Sequence, residues 1–221
     1  MRIQPLERPF TDDVAPLLER MMPAGMAPIA LFRTFAHNPA MTNGINGWGS
    51  YYLSKQSSLD LRTRELVIDR TTARCGCEYE WGIHIALFAQ RVLLTSEQIR
   101  SITFGNSDDP CWITACDRLA IDLVDDLHDH ATIGADLWES LAAEFTTAQL
   151  LDMMLLTGWY HAISYVARSA ELDVEPFATR FTDIRYESSR RSEESDHSGS
   201  GVKGVCTAET YPSGSRNENS W

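Results

Sequence analysis

The sequence lacks the features that would place it in a membrane or on nucleic acid. No run among its 221 residues approaches the roughly 18 consecutive apolar residues that a spanning helix needs. It has only two lysines, and its 19 basic residues are outnumbered by 31 acidic ones, for a net charge of −12. Because no basic block could neutralise phosphates, we expect neither nucleic acid nor a membrane as a partner.

Cysteine is also scarce. Five cysteines, an odd number in a chain of this length, do not fit a secreted scaffold held by disulfides. The first ten residues contain two arginines and two prolines where a signal peptide would need an apolar run. We therefore predict a cytoplasmic protein in which any important cysteine acts as a thiol.

Large apolar residues are missing from the last part of the chain. Residues 187–221 contain no Leu, Ile, Met or Phe but nine Ser. Such a segment buries too little apolar surface to offset the entropy of ordering it, so we predict a disordered Ser-rich tail. Residues 1–186 are predicted to form one domain.

In that domain apolar and polar residues do not alternate with the period of two that is typical of strands. Its capping residues and prolines are placed as at the ends of helices. Thr95 and Gln98 have the spacing of a capping box, and Pro39 can open a helix. The pattern predicts two short helices before residue 38, then helices over 39–52, 60–73, 78–92, 95–102, 110–130, 136–145 and 147–172. The prediction is an all-α fold.

A group of polar residues interrupts the apolar face of the helix predicted from residue 78. At 3.6 residues per turn, Cys77, Glu80 and His84 share one narrow face with Trp81. Cys77 is expected in the first turn, where the helix dipole favours a thiolate. Polar groups on an apolar stripe indicate an acid–base site. Taken singly, each also fits a structural role, and a helical domain without chemistry is the alternative.

The order Glu65, Cys77, Glu80 and His84 resembles the motif of the carboxymuconolactone decarboxylase and alkylhydroperoxidase D-like (AhpD-like) superfamily. The resemblance covers roughly residues 30–175, including the Gly158-Trp159-Tyr160 segment. It implies an AhpD-like bundle of about eight helices and a homo-oligomer (dimer, trimer or hexamer). The chain departs from the peroxidase branch at position 80, where Glu replaces a second cysteine.

The departure moves the expected chemistry from redox to proton transfer, because a carboxyl cannot resolve a sulfenate as a disulfide. The resemblance implies a lyase that decarboxylates, or transfers a proton on, a small carboxylated or carbonyl substrate. His84 would be the general acid or base, with Glu80 sharing its proton, Glu65 approaching from the preceding helix and Cys77 tuning the site. No cofactor and no metal are expected.

Two alternatives to this function stay open. One is a Cys77-dependent peroxidase or oxidoreductase with antioxidant (peroxiredoxin) activity, and the other is a non-catalytic family member. Trp81, Tyr160 and His161 are the residues predicted to contact substrate. His128 and His130 are interpreted as helix C-terminal charges and not as metal ligands, because residues two apart on a helix face away from each other.

Overall fold

The computed structural model describes residues 1–23 and 25–184. Within these residues the regular structure is helical and no strand occurs, which confirms the all-α prediction. The predicted tail over residues 187–221 lies outside the described residues, so the division of the chain at residue 186 stays a prediction.

The helices follow one another with short connections. They are α1 (Ala15–Arg20), α2 (Ala30–Phe35), α3 (Pro39–Tyr52), α4 (Leu61–Arg74), α5 (Glu78–Phe88), α6 (Ser96–Phe104), α7 (Ala115–His130), α8 (Ala135–Glu144) and α9 (Thr147–Ser169).

Side-chain caps explain where several helices begin. Thr95 and Thr146 each accept a hydrogen bond from the backbone N–H three residues on, and the side-chain oxygens of Gln98 and Gln149 accept one from the backbone N–H of the cap residue. The predicted capping box at Thr95 is thus confirmed. Helix α7 begins at Ala115 and not at the predicted residue 110, because the Thr114 side chain caps it.

Helix α4 lies at the centre of the fold. It packs against α5, α6, α7 and α9, and every residue from Thr63 to Thr72 is buried. Three of these buried side chains, Arg64, Glu65 and Arg70, have ion-pair partners inside the protein. Those partners determine how α4 sits against its neighbours.

A ladder of arginine–aspartate pairs joins α4 to α7. Arg62 binds Asp117 with 2.8 Å between Nη2 and Oδ2, and Arg70 binds Asp125 in a bidentate pair with distances of 2.7 and 2.6 Å. Arg74 pairs with Asp129 one turn further on. The partners are 55 residues apart in each case. The two helices therefore run parallel, in a register set by charge.

The segment after α9 folds back over α5. Its Glu175 carboxylate accepts hydrogen bonds from the Tyr79 hydroxyl, at 2.7 Å, and from the Ala30 backbone N–H, at 2.6 Å. The Thr179 N–H donates to the Gly82 carbonyl over 3.1 Å. This contact needs glycine, since a Cβ at position 82 would lie 2.3 Å from the Thr179 carbonyl oxygen.

No described helix is both long enough and apolar enough to cross a membrane. The cellular location stays a prediction from the sequence.

We predict that Gly82→Ala destabilises the protein, because the new methyl group must displace the backbone of residue 179. Overpacking of this kind costs about 1–3 kcal/mol, which thermal unfolding would detect as a lower melting temperature. Gly47→Ala is the matched control, since a Cβ there meets nothing within 4 Å inside α3. An equal melting temperature for Gly82→Ala and the wild type would contradict the prediction.

Candidate active site

The site is built on a carboxylate that has no contact with solvent. Glu65 lies in the middle of α4 with 0% of its surface exposed. Its Oε1 accepts a hydrogen bond from Arg64 Nε at 2.8 Å, and the same guanidinium donates to the Tyr52 carbonyl over 3.3 Å. A buried carboxylate is stable only with such charged and hydrogen-bonded partners.

The second partner of Glu65 is His84, one helix away on α5. The distance from Glu65 Oε2 to His84 Nδ1 is 2.7 Å. A carboxylate only accepts hydrogen bonds, so Nδ1 carries the proton and the lone pair is on Nε2. The Phe88 ring stacks on the imidazole with 5.4 Å between centroids and fixes its plane.

Tyr160, on α9, completes a hydrogen-bonded chain. Its hydroxyl lies 3.0 Å from His84 Nε2, the nitrogen left free by Glu65. Burial, followed by the negative charges of Glu80 and Glu65, raises the pKa of Tyr160 well above its ordinary value. The phenol therefore stays protonated and donates to Nε2. Three helices thus supply the chain Glu65–His84–Tyr160.

Glu80 stands beside this chain as a carboxyl with few partners. It is 5% exposed, its Oε2 lies 3.9 Å from His84 Nε2, and its Oε1 has no hydrogen-bond partner among the described residues. Burial raises the pKa of Glu80 to about 7, although His84 acts to lower it. A group with this pKa can give or take a proton at neutral pH.

These side chains border a cavity of about 1220 Å³. Glu80, His84 and Tyr160 form the buried part of its polar lining, and methionine, isoleucine and phenylalanine side chains from the first 45 residues form much of its apolar lining. Other polar residues of the wall include Glu19, Arg20, Asn46 and Lys55. Arg91 also lines it, with its guanidinium 5.4 Å from the centre of the Phe88 ring. An apolar cavity with a few convergent polar groups is typical of small-molecule sites.

Cys77 is placed differently from the prediction. It is the N-cap of α5, outside the helix proper, and it is 0% exposed and absent from the cavity wall. Burial and, to a smaller extent, the charge of Glu80 together raise the pKa of Cys77 to about 11. The expected thiolate is therefore not favoured, because desolvation outweighs the helix dipole.

Two of the three predicted substrate contacts lie away from the cavity. Trp81 is fully buried on the other side of α5, where its ring packs against Phe181 with 4.6 Å between centroids. His161 turns away from His84 and contacts His128 on α7. Tyr160 alone of the three lines the cavity.

Sequence reasoning missed three residues near the site: Arg64, Asp69 and Arg91. Asp69 lies one turn after Glu65 on α4 and is 1% exposed, and burial, then the charge of Glu65, raises its pKa well above the ordinary value. The spacing Glu65-x-x-x-Asp69 in a helix was the available signal, because residues four apart share a face. Nothing in the local sequence indicates that Arg64 turns inward.

Comparison with known protein families gives a match. Residues 39–115 match the family described as "Carboxymuconolactone decarboxylase family", which confirms the resemblance found in the motif. The matched range contains Glu65, Cys77, Glu80 and His84, whereas Tyr160 lies beyond it. No curated protein and no solved structure matches the chain.

We predict that Glu80 makes stability fall as the pH rises. Its folded-state pKa of about 7 exceeds the ordinary value of 4.5, so the folded protein binds the proton more tightly between these values. The free energy of unfolding then decreases through this window and levels off above it, by at most about 3 kcal/mol. Glu80→Gln should remove this dependence.

Urea unfolding at pH 5 and pH 8 measures the effect. The Glu80→Gln variant should be more stable than the wild type at pH 8 and nearly equal at pH 5. The exposed Glu139→Gln is the matched control and should follow the wild type at both pH values. A Glu80→Gln variant that is no more stable than the wild type at pH 8 would rule out a strained buried carboxyl.

Proposed function

Since residues 39–115 match the carboxymuconolactone decarboxylase family, we propose that the protein is an acid–base lyase. It decarboxylates, or moves a proton on, a small carboxylated or carbonyl compound. The observation that carries the proposal is the chain Glu65–His84–Tyr160 beside Glu80 at the wall of a large cavity.

The proposed reaction needs only groups that the site contains. The bond between carbon and carboxylate breaks, carbon dioxide leaves, and the electron pair passes into an adjacent carbonyl as an enolate. The enolate carbon then takes a proton from the Glu80–His84 pair, and solvent replaces that proton. A proton transfer without decarboxylation uses the same pair as base and then as acid.

Each residue has a role that follows from its contacts. Glu65 holds His84 in the tautomer with the lone pair on Nε2. Tyr160, protonated and directed at the same nitrogen, can shift its hydrogen bond to the developing enolate oxygen. Glu80, 3.9 Å from Nε2, is too close for an atom to lie in line between the two, but a water or substrate atom beside them can hydrogen-bond to both.

The cavity supports a substrate that combines an anionic group with an apolar part. Arg91 supplies positive charge at the wall, and the methionine, isoleucine and phenylalanine side chains supply apolar surface. The family's name points to carboxylated lactones as one such class. Because about 1220 Å³ exceeds the volume of a small lactone, we propose a substrate with a larger apolar substituent.

The peroxidase alternative has less support. Cys77 is completely buried, its pKa is raised to about 11, and it lies outside the cavity wall. A reactive cysteine needs thiolate character and access. The non-catalytic alternative does not account for a buried Glu80 carboxyl whose Oε1 has no hydrogen-bond partner among the described residues.

We also propose that the protein associates with copies of itself, as the family resemblance implies. Leu151 and Leu155, one turn apart on α9, are each 52% exposed, and Trp138 on α8 is 43% exposed. Large apolar side chains at this exposure support an interaction surface.

We predict that His84→Gln lowers kcat about 100-fold or more, because it removes the nitrogen that relays the proton. Glu80→Gln should lower kcat by a similar factor and abolish a limb with an apparent pKa near 7 in the pH–rate profile. The measurement is carbon dioxide release and solvent deuterium incorporation, across a panel of β-keto acids and carboxylated lactones.

The matched control is His130→Gln, which alters an exposed histidine paired with Asp126. It should retain wild-type rates. Circular dichroism must show that all variants keep their helices. Full activity in His84→Gln would refute the proposed chemistry.

We predict that Cys77→Ser keeps at least about half of the activity and that the Cys77 thiol resists peroxide. The reason is its burial and its raised pKa. Mass spectrometry after peroxide and dimedone treatment measures sulfenate at each cysteine. Rapid dimedone labelling of Cys77, together with loss of peroxide turnover in Cys77→Ser, would favour the peroxidase instead.

A further inference from the structure

Three side chains from three helices meet at the end of the arginine–aspartate ladder. They are Cys75, which caps the C-terminus of α4, His128 on α7 and His161 on α9. One donor atom from each lies within 4.8 Å of the other two. We propose that these residues form a binding site for a divalent transition metal of the Zn²⁺ class.

The distances suit such an ion. Zinc bonds of about 2.0–2.1 Å to nitrogen and about 2.3 Å to sulfur, in tetrahedral geometry, separate the donor atoms by roughly 3.3–3.6 Å. His128 Nδ1 and His161 Nε2 are 2.9 Å apart. Side-chain shifts of about 1 Å would bring all three donors to these separations. Thiolate sulfur and imidazole nitrogen are ligands that suit Zn²⁺, whereas hard cations such as Mg²⁺ and Ca²⁺ prefer oxygen ligands.

The histidines are already oriented for coordination. His161 Nδ1–H donates to the Thr157 carbonyl at 2.9 Å, which leaves the Nε2 lone pair directed at His128. A hydrogen bond from the non-ligating nitrogen to a carbonyl is the usual way in which proteins fix a metal-binding imidazole. Without the ion, His128 Nδ1–H donates a hydrogen bond to the His161 Nε2 lone pair.

Metal binding requires one proton to move within His128 and one proton to leave Cys75. The proton on His128 Nδ1 moves to its Nε2, so the imidazole stays neutral and Nδ1 becomes a ligand. The Cys75 thiol releases its proton to solvent, and the resulting thiolate binds the ion.

Charged side chains surround the cluster in which the thiolate and the ion would be placed. Arg168 donates to the Cys75 carbonyl over 2.5 Å, which places a positive charge beside the thiolate. Asp125 and Asp129 face His128 from its own helix, and Arg74 pairs with both of them. The two arginines and the two aspartates thus balance in formal charge near the ion.

An incoming ion can reach the cluster from the side of its two histidines, while Cys75 lies buried behind them. His128 and His161 are half-buried, and Tyr165 next to them is 64% exposed. Three protein ligands leave a fourth position for water or a further ligand. Neither histidine borders the cavity of the candidate active site, so the proposal does not depend on the proposed function.

Cobalt titration of the full chain, without an affinity tag, tests the proposal. One equivalent of Co²⁺ should give the intense visible absorption of a tetrahedral ion and a near-ultraviolet band from sulfur-to-cobalt charge transfer. Zn²⁺ should displace it. A weak octahedral spectrum without the sulfur band would overturn the proposal.

Variants assign the ligands. Cys75→Ser should abolish the charge-transfer band, and each of Cys75→Ser, His128→Gln and His161→Gln should weaken Zn²⁺ binding at least about 100-fold. Matched controls are Cys111→Ser, a half-buried thiol outside the cluster, and His130→Gln, two residues beyond His128. Both should bind as the wild type does. Unchanged binding in Cys75→Ser would refute the site.

A second measurement needs no variant. Zn²⁺ should slow the alkylation of Cys75 in the wild-type chain while leaving that of Cys111 unchanged, as read by mass spectrometry. Equal alkylation of Cys75 with and without Zn²⁺ would contradict the proposal. His84→Gln should retain metal binding, which separates this site from the proposed enzyme activity.

Discussion

The buried carboxylate of Glu65 is the constraint on which the site depends. A fully desolvated charge costs several kcal/mol unless partners compensate it, and here they are Arg64 on the same helix and His84 on the next. Because His84 must reach Glu65 with Nδ1, helices α4 and α5 are held in one relative position. That position directs Nε2 at Tyr160 and leaves Glu80 beside it. The geometry for proton transfer is therefore a consequence of neutralising one charge.

The same principle sets the register of α4 against α7. Arg62, Arg70 and Arg74 each bind an aspartate 55 residues further along. A shift of one residue would leave the buried charges of Arg70 and Asp117 without these partners. This register also carries the end of α4 to the level of His128. The proposed metal cluster thus lies where the ladder ends, and α9 contributes His161 because it packs against both helices.

Local sequence signals predicted much of the fold and part of the site. The bounds of α3 and the capping box at Thr95 follow from proline and threonine chemistry, and helical periodicity placed Glu80 and His84 on one face. Periodicity failed for Cys77, since the residue precedes the helix and its angle on the helical wheel has no meaning. It also failed for Trp81. Both faces of α5 are buried, so an apolar residue does not indicate which face borders the cavity. The meeting of His128 with His161 depends on tertiary packing between α7 and α9, which no spacing in the sequence encodes.

The two glutamates of the motif show why packing, and not residue type, assigns their roles. Glu65 has an arginine and an imidazole within hydrogen-bonding distance, so it serves as a fixed acceptor that orients His84. Glu80 has the same imidazole only at 3.9 Å, and its other oxygen has no partner among the described residues. Burial without compensation raises its pKa to about 7 and makes its proton exchangeable. The proposed proton-transfer function therefore depends on position 80, where the resembled peroxidase motif has a cysteine and this chain has a poorly solvated carboxyl.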